Sequence, residues 1–315
     1  MSNDLRDSRI NSPVREFLSE FKGKRIAYFP NPGNAGDSLI AVATMHLFDE
    51  LNITYDIVGY DDDVEGRIVV LGGGGNLIQN YGQIRRAIEI FSPKAKLLVL
   101  LPHTIRGAEV HLARLARNSV VFCRDLPSYD HVLSVSDLRN VYLAHDMAFN
   151  LNIERLKGDR ALAASAAKRF KNKLEQAGIE EEKFQNAGLV RLFRSDRESM
   201  VKFDGNIADI SALFAFGVLL DGVHQAAWCF MTFIEKCDAI ATDRLHVAIG
   251  AAILGKETHI FDNNYGKNYG IFQHSLRKAR DNINFYRLDG PIASAAIDLA
   301  EGISLGRRPA GVVAA

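Results

Sequence analysis

Apolar runs and polar breaks alternate along the chain with the rhythm of strands and helices. KRIAYFP (24–30) is a short, nearly unbroken apolar run and predicts a first strand. The turn NPGNAGD follows, and SLIAVATMHLFDELN then predicts a helix. TYDIVGY (54–60) and RIVVLGG (67–73) predict the next two strands. LIQNYGQIRRAIEIFSP predicts a helix that stops at Ser92–Pro93, because proline cannot continue it. AKLLVLLPHTI (95–105) and SVVFCRD predict strands flanking the short helix VHLARLARN, and the pattern continues through LPSYDHVLSV and LRNVYLAHDMAF. Continuous apolar strands separated by helical stretches predict a parallel sheet covered on both faces.

The pattern changes near residue 150. Residues 151–185 are charged and Ala-rich, which predicts a solvent-facing helical connector. GLVRLFRSDRES (188–199), DAIAT (238–242) and ETHIFDN (257–263) then restart the strand pattern. Largely helical stretches lie between them, YGIFQHSLRKARDN predicts a further helix, and a short helix is expected near 292–301. The chain therefore divides into a first α/β domain, 1–150, and a second, smaller one, 151–315, with a cleft expected between them.

Composition narrows the function classes. A hydrophobic fraction of 47% with 24% charged residues over 315 positions supports packed cores. Lys plus Arg equals Asp plus Glu, at 38 each, which argues against a generic nucleic-acid binder. Three cysteines and no CxxC pair argue against a disulfide scaffold or a Cys-rich zinc site. Cys123 reads as a small buried residue at a strand end. The first residues show no apolar leader, and no apolar stretch is long enough to span a bilayer. A reducing, cytoplasmic compartment is expected, with peripheral contact at the inner face of the membrane left open.

Ligands of open parallel sheets bind beyond the carboxyl ends of the strands, so the candidate chemistry lies in those loops. In PGNAGDSLI, Asn34 is within reach of a ligand, and Asp37 is either a helix cap or a site residue. VVLGGGGNLIQNYG (69–82) sets four glycines behind a strand. It is not a dinucleotide fingerprint: counted from Gly72 or Gly73, the third glycine position is Leu77 or Ile78. Adjacent glycines at Gly74 predict a low backbone floor with Asn76 as its polar contact. LLPHTIRG offers His103 and Arg106; CRDLPSY offers Arg124, Asp125 and Ser128; AHDMAF offers His145 and Asp146. In the second half, LVRLFRSDRES carries Arg191, Arg194 and Arg197. ATDRLHVAIGA is the sharper signal: Thr242 can cap a helix, and Asp243, Arg244 and His246 occupy its first turn. An arginine there opposes the helix dipole, which makes sense if an anion sits between Arg244 and the free N–H groups. FDNNYGKNYG (261–270) is a polar loop able to contact a ligand. Nothing has metal-ligand spacing. Three function classes remain: group transfer from an anionic donor, a nucleotide-sugar-dependent glycosyltransferase of two-domain build, and a non-catalytic sugar-binding protein.

GNAGDSLI, VVLGGGGNLIQ, FCRDLPS and TDRLHVAIGAAILGK, in this order, resemble the polysaccharide pyruvyl transferase family. The resemblance implies two Rossmann-like domains facing a cleft, in a glycosyltransferase-B-like arrangement. It also implies transfer of a pyruvyl group from phosphoenolpyruvate to a nucleotide-linked or lipid-linked sugar or oligosaccharide, giving a cyclic ketal and phosphate in exopolysaccharide or cell-envelope assembly. No cofactor and no metal are implied. Carried over by residue, Arg244 binds the donor's charged groups and His246 takes part in proton transfer, with His103 and Arg124 as further matches. Arg194 and Thr242 complete the expected donor set, in the second domain. Asp37 or Asp125 is expected to orient a histidine or hold the acceptor. Asn34, Gly74 and Asn76 are the expected acceptor contacts, in the first domain. The short linker and the arginines of LVRLFRSDRES depart from many members.

Overall fold

A computed structural model describes residues 8–79, 81–196, 198–199 and 205–287. The helix expected near 292–301 and the candidate Arg197 lie outside these residues. The chain forms two compact units. One runs through Leu156 and also takes Phe216–His224; the other comprises Lys157–Ala215 and the chain from Gln225 onward.

The first unit is built on β1 (Arg25–Phe29), β2 (Thr54–Ile57), β3 (Ile68–Leu71), β4 (Gly74–Leu77), β5 (Leu97–Ile105), β6 (Val120–Cys123) and β7 (Asn140–Leu143). The order is β2-β1-β3-β5-β6-β7, with β4 also paired to β5, and every pairing is parallel. The parallel pairing brings the carboxyl ends of these strands to one edge. The strand order reverses direction between β1 and β3, the place where doubly wound sheets bind ligands.

The helices follow from the sequence pattern. Ala35–Glu50 is buried along nearly its whole length, so it is apolar on all sides rather than striped. Gln83–Phe91 buries Ile84, Ala87, Ile88 and Phe91, the spacing of one helical face. It begins later than the sequence suggests, because residues 74–77 form β4. The glycine run kinks the chain between β3 and β4 so that both lie along the long β5. A Cβ on Gly72 would fall 2.7 Å from the Asn31 backbone N, and one on Gly73 2.8 Å from the Pro102 carbonyl oxygen. Those two glycines permit close backbone approach, which no larger residue allows.

The second unit holds β8 (Leu189–Arg191), β9 (Ala239–Thr242), β10 (Glu257–Phe261) and β11 (Ile283–Tyr286), all parallel, in the order β11-β10-β9-β8. β11 carries no strong signal in the sequence: its burial pattern is mixed, with Asn284 exposed. The expected charged connector appears as the helix Arg160–Ala177. Asp159 caps its start, Gly178 in the left-handed region ends it, and Ala166, Phe170 and Leu174 form its single buried stripe. Cys123, Cys229 and Cys237 are buried and unbridged. Among the described residues no helix is long and apolar enough to cross a membrane.

Candidate active site

Two groups of candidate residues form, one in each unit. In the first unit, Asn34 and Asp37 make a reciprocal capping box at the start of helix Ala35–Glu50. The Asn34 side chain accepts from Gly36 N at 2.8 Å, and Asp37 Oδ2 accepts from Asn34 N at 2.8 Å. Asn31, at the exit of β1, donates from Nδ2 to the Gly73 carbonyl at 3.2 Å and accepts from Asn76 Nδ2 at 2.5 Å. Gly74 has φ of +152°, and a Cβ there would lie 2.2 Å from Asn31 Nδ2 and 3.3 Å from Asp37 Oδ1. Asn34, Asp37, Gly74 and Asn76 are therefore gathered around Asn31 at the switch point between β1 and β3. Asn76 is almost fully buried, and its main contact is Asn31.

The exits of β5, β6 and β7 carry a buried polar network. Arg124 donates from Nη1 to Asp146 Oδ2 at 2.5 Å and from Nε to Thr104 Oγ1 at 2.9 Å. Thr104 donates to Asp125 Oδ2 at 3.0 Å. Asp125 caps the helix Leu126–Val135 through Ser128 N and also accepts from Arg106 Nη2 at 2.9 Å. Ser128 Oγ in turn accepts from Ile105 N at 2.8 Å. The R-D-x-x-S pattern is thus a structural knot that ties β5, β6 and a helix start, and Arg124 is 1% exposed within it.

His103 sits beside this knot, paired across the strands with Gly74 and Cys123. It is fully buried, and its Nδ1 lies 2.8 Å from the Leu101 carbonyl oxygen. A carbonyl only accepts, so Nδ1 carries the hydrogen and Nε2 of the neutral ring is an acceptor. Nε2 meets no hydrogen-bond partner among the described residues. Burial pushes the pKa from 6.5 down to about 4, helped by the Arg124 charge and opposed by the Leu101 contact and Asp146.

In the second unit, Thr242, Asp243 and Arg244 link the exit of β9 to helix Leu245–Ile253, with His246 half-buried in the first turn. Thr242 Oγ1 accepts from Arg244 N at 3.0 Å and donates to the Leu192 carbonyl at 2.6 Å. The Arg244 guanidinium forks onto Asp209, with Nε to Oδ1 at 3.0 Å and Nη2 to Oδ2. Nη2 also reaches Asp196 Oδ2 at 3.0 Å. Arg194, at the exit of β8, forks onto the same Asp196, with Nε to Oδ1 at 2.7 Å and Nη2 to Oδ2 at 3.0 Å. Its Nη1 pairs with Glu198 Oε2 at 2.7 Å. Glu198 gathers Asn263, Tyr265 and Lys267 from the polar loop after β10.

The charges in this cluster respond as their partners dictate. Burial raises the Asp196 carboxyl, yet Arg194 and Arg244 outweigh it and hold the pKa down to about 2. Burial works against the Arg194 charge, and Asp196 and Glu198 reverse that effect. Asp243 is pushed up to about 6 by burial, against the hydrogen bond from Arg194 N and the two guanidinium charges. Among the described residues no group of three His, Cys, Asp or Glu side chains could hold a metal ion.

The sequence-predicted residues of both clusters fall within one family match. The family model for polysaccharide pyruvyl transferase matches residues 34–265. The chain belongs to the polysaccharide pyruvyl transferase family. The match begins at Asn34 and includes Arg194, Arg244 and His246. The chemistry of this enzyme is transfer of a pyruvyl group to a polysaccharide precursor. The chain is 27% identical over 277 residues to EpsO of Bacillus subtilis (strain 168), whose name assigns it to the pyruvyl transferases; the match covers 78% of this chain and 83% of EpsO. It is also similar to the crystal structure of a functionally uncharacterized protein of Klebsiella pneumoniae subsp. pneumoniae. That likeness has a TM-score of 0.70 at 28% identity and covers 86% of this chain and 96% of the other.

For this pyruvyl transferase the structure brings Arg194, Thr242, Arg244 and His246 to neighbouring strand exits of one unit, and Asn34, Asp37, Gly74 and Asn76 to one switch point of the other. It places Arg124 and His103 behind the surface of the first unit. Asn31, Asp196, Glu198 and Asp209 join these groups in the structure without a motif in the sequence that singles them out. Asp209 carried one usable signal: it precedes the short apolar run ISAL and caps that helix.

Proposed function

We propose that this protein transfers the pyruvyl group of phosphoenolpyruvate to two hydroxyls of a nucleotide-linked or lipid-linked sugar, forming a cyclic ketal and releasing phosphate. The observation that carries this reading is that Arg194 and Arg244 meet on a single carboxylate, Asp196, and that Arg244 stands two residues before His246 in the chain. The Arg194 fork and the Arg244 Nη2 converging on one carboxylate are suited to an anion of carboxylate or phosphate shape. Phosphoenolpyruvate carries both groups.

The reaction first adds a proton to the methylene carbon of the donor, leaving an oxocarbenium-like centre at C2. One sugar hydroxyl attacks C2 and loses its proton. Phosphate then leaves, and the second hydroxyl closes the ring as it loses its own proton. The arginines hold the donor, and the start of helix Leu245–Ile253 stabilises the departing phosphate. His246 is the proposed proton donor. His103 is fully buried and its pKa is pushed down to about 4, so it resists taking up a proton and is given no proton-transfer step in this reading. Asn34, Asp37, Gly74 and Asn76 make the proposed acceptor side in the first unit, and the second unit is the proposed donor side. The all-parallel sheets of the two units support a pair of Rossmann-like domains of glycosyltransferase-B-like build.

The test incubates the protein with phosphoenolpyruvate and a panel of nucleotide-linked and lipid-linked sugars and follows pyruvylated product by mass. Product formation is expected. No product and no phosphoenolpyruvate binding across a wide panel would overturn the reading.

A further inference from the structure

Among the described residues, three carboxylates contact the two donor-site arginines, and they are not equivalent. Asp209 backs Arg244 alone and Glu198 backs Arg194, with side chains 6% and 4% exposed. Asp196 bridges both arginines, and its side chain is 39% exposed. Each guanidinium therefore has a buried anchor, and both also reach one carboxylate on the solvent side, Arg194 through Nε and Nη2 and Arg244 through Nη2. Buried anchors fix a guanidinium in place, because removing one leaves a buried charge unpaired. A partly exposed carboxylate is exchanged more easily, since water compensates it when it leaves.

We propose that Asp196 is a specificity-determining residue: its carboxylate occupies the position between Arg194 and Arg244 where the donor's anionic group binds, and a ligand enters only by displacing it. This rests on the assignment of the arginine pair as the donor site. Exchange of one carboxylate for another gains almost nothing and loses the advantage of a group already tethered in place. A simple monocarboxylate is therefore rejected. A phosphate ester brings more charge and more acceptor oxygens to the same N–H groups and overcomes the internal competitor. Asp196 thus selects a donor that carries phosphate in addition to its carboxylate. Asp209 and Glu198 hold the arginines in register during the exchange, as positioning residues.

Calorimetric titration of the full chain with inorganic phosphate, phosphoenolpyruvate and pyruvate tests this in the wild type, Asp196→Asn and Asp209→Asn. Asparagine at 196 keeps an oxygen for the Glu198 backbone N–H, which lies 3.0 Å from Asp196 Oδ1, so the local turn is retained. Asp196→Asn is expected to tighten phosphate and phosphoenolpyruvate by about tenfold, the size of a partly exposed bidentate pair. Its preference for phosphoenolpyruvate over pyruvate should narrow. Asp209→Asn is expected to weaken both phosphate ligands by about tenfold. Opposite signs separate displacement from a general effect of removing negative charge, which would tighten both variants. Asp196→Ala supplies the same comparison if the asparagine variant misfolds. Unchanged or weaker phosphate binding in the Asp196 variants overturns the proposal. Tighter phosphate binding without phosphoenolpyruvate-dependent product would uphold the displacement and overturn the donor assignment alone.

Discussion

Replacing His103 by asparagine should change how stability depends on pH, with a sign fixed by the surroundings of the ring. The imidazole is wholly buried beside Arg124, and its pKa falls from 6.5 to about 4. Between these values the unfolded chain takes up a proton that the folded chain refuses. Stability is therefore full above pH 6.5 and declines as the pH falls toward 4. The gap between 6.5 and about 4 corresponds to about 3 kcal/mol at the acid end. Asp243 acts in the opposite sense over part of the range. Its carboxyl, pushed up from 3.8 to about 6, binds a proton more readily in the folded chain and favours folding as the pH drops. The wild-type curve alone would blend the two effects, so the informative quantity is the difference between wild type and His103→Asn. Asparagine can still donate toward the Leu101 carbonyl but does not titrate. Urea unfolding of both proteins at a series of pH values, with the His103 ring resonances followed by NMR, measures it. The stability advantage of the wild type over the variant should be constant above pH 7 and shrink by about 3 kcal/mol by pH 4. A difference that stays constant over the whole range, or a His103 ring that titrates near 6.5, would refute the reasoning.

Three further substitutions probe the two clusters. Arg244→Ala should reduce phosphoenolpyruvate-dependent kcat/KM by at least about a hundredfold, the scale of a lost charged contact to a reacting phosphate, with an unchanged circular dichroism spectrum; normal kinetics would remove Arg244 from the donor site. Gly74→Ala should lower stability by about 1–3 kcal/mol in denaturant titration, because its φ of +152° and the 2.2 Å approach of Asn31 Nδ2 leave no room for a methyl group. Arg124→Met should cost about 3–5 kcal/mol, since it leaves the buried Asp146 carboxylate without its partner; a loss of donor affinity at unchanged stability would instead place Arg124 in the site.

The strand pattern and the loop positions were legible because parallel strands buried on both faces read as unbroken apolar runs. Helix Ala35–Glu50 and β9 with its D-R-x-H helix start are legible for the same reason, and the connector helix is legible from its charged, Ala-rich composition. β4 was not, since a glycine-rich strand carries no side-chain period, and it was read as the approach to a helix. Helix Ser8–Ser19 lay unmarked in a polar segment with Pro13 inside it. At the candidate site, Arg244 is legible because a cation at a helix start is anomalous, and Arg194 because it follows an apolar strand. The acids that organise them are not. Asp209 lies 35 residues before Arg244, and only the adjacency of β8 and β9 brings Arg194 and Asp196 to the same place. Arg124 and His103 carry the right residue types for chemistry; their apolar strands signal burial, but the polar character of the strand ends hides that these two side chains are buried as well.

The most direct test of pyruvyl transfer from phosphoenolpyruvate is to run the reaction in deuterated water and examine the product's methyl group by NMR and mass spectrometry. Protonation of the donor's methylene carbon requires that the new methyl carry one solvent-derived deuterium, on a ketal carbon bonded to two sugar oxygens, with phosphate released in equal amount. A product that contains the sugar of a nucleotide donor instead, or a methyl group without deuterium, would contradict the account.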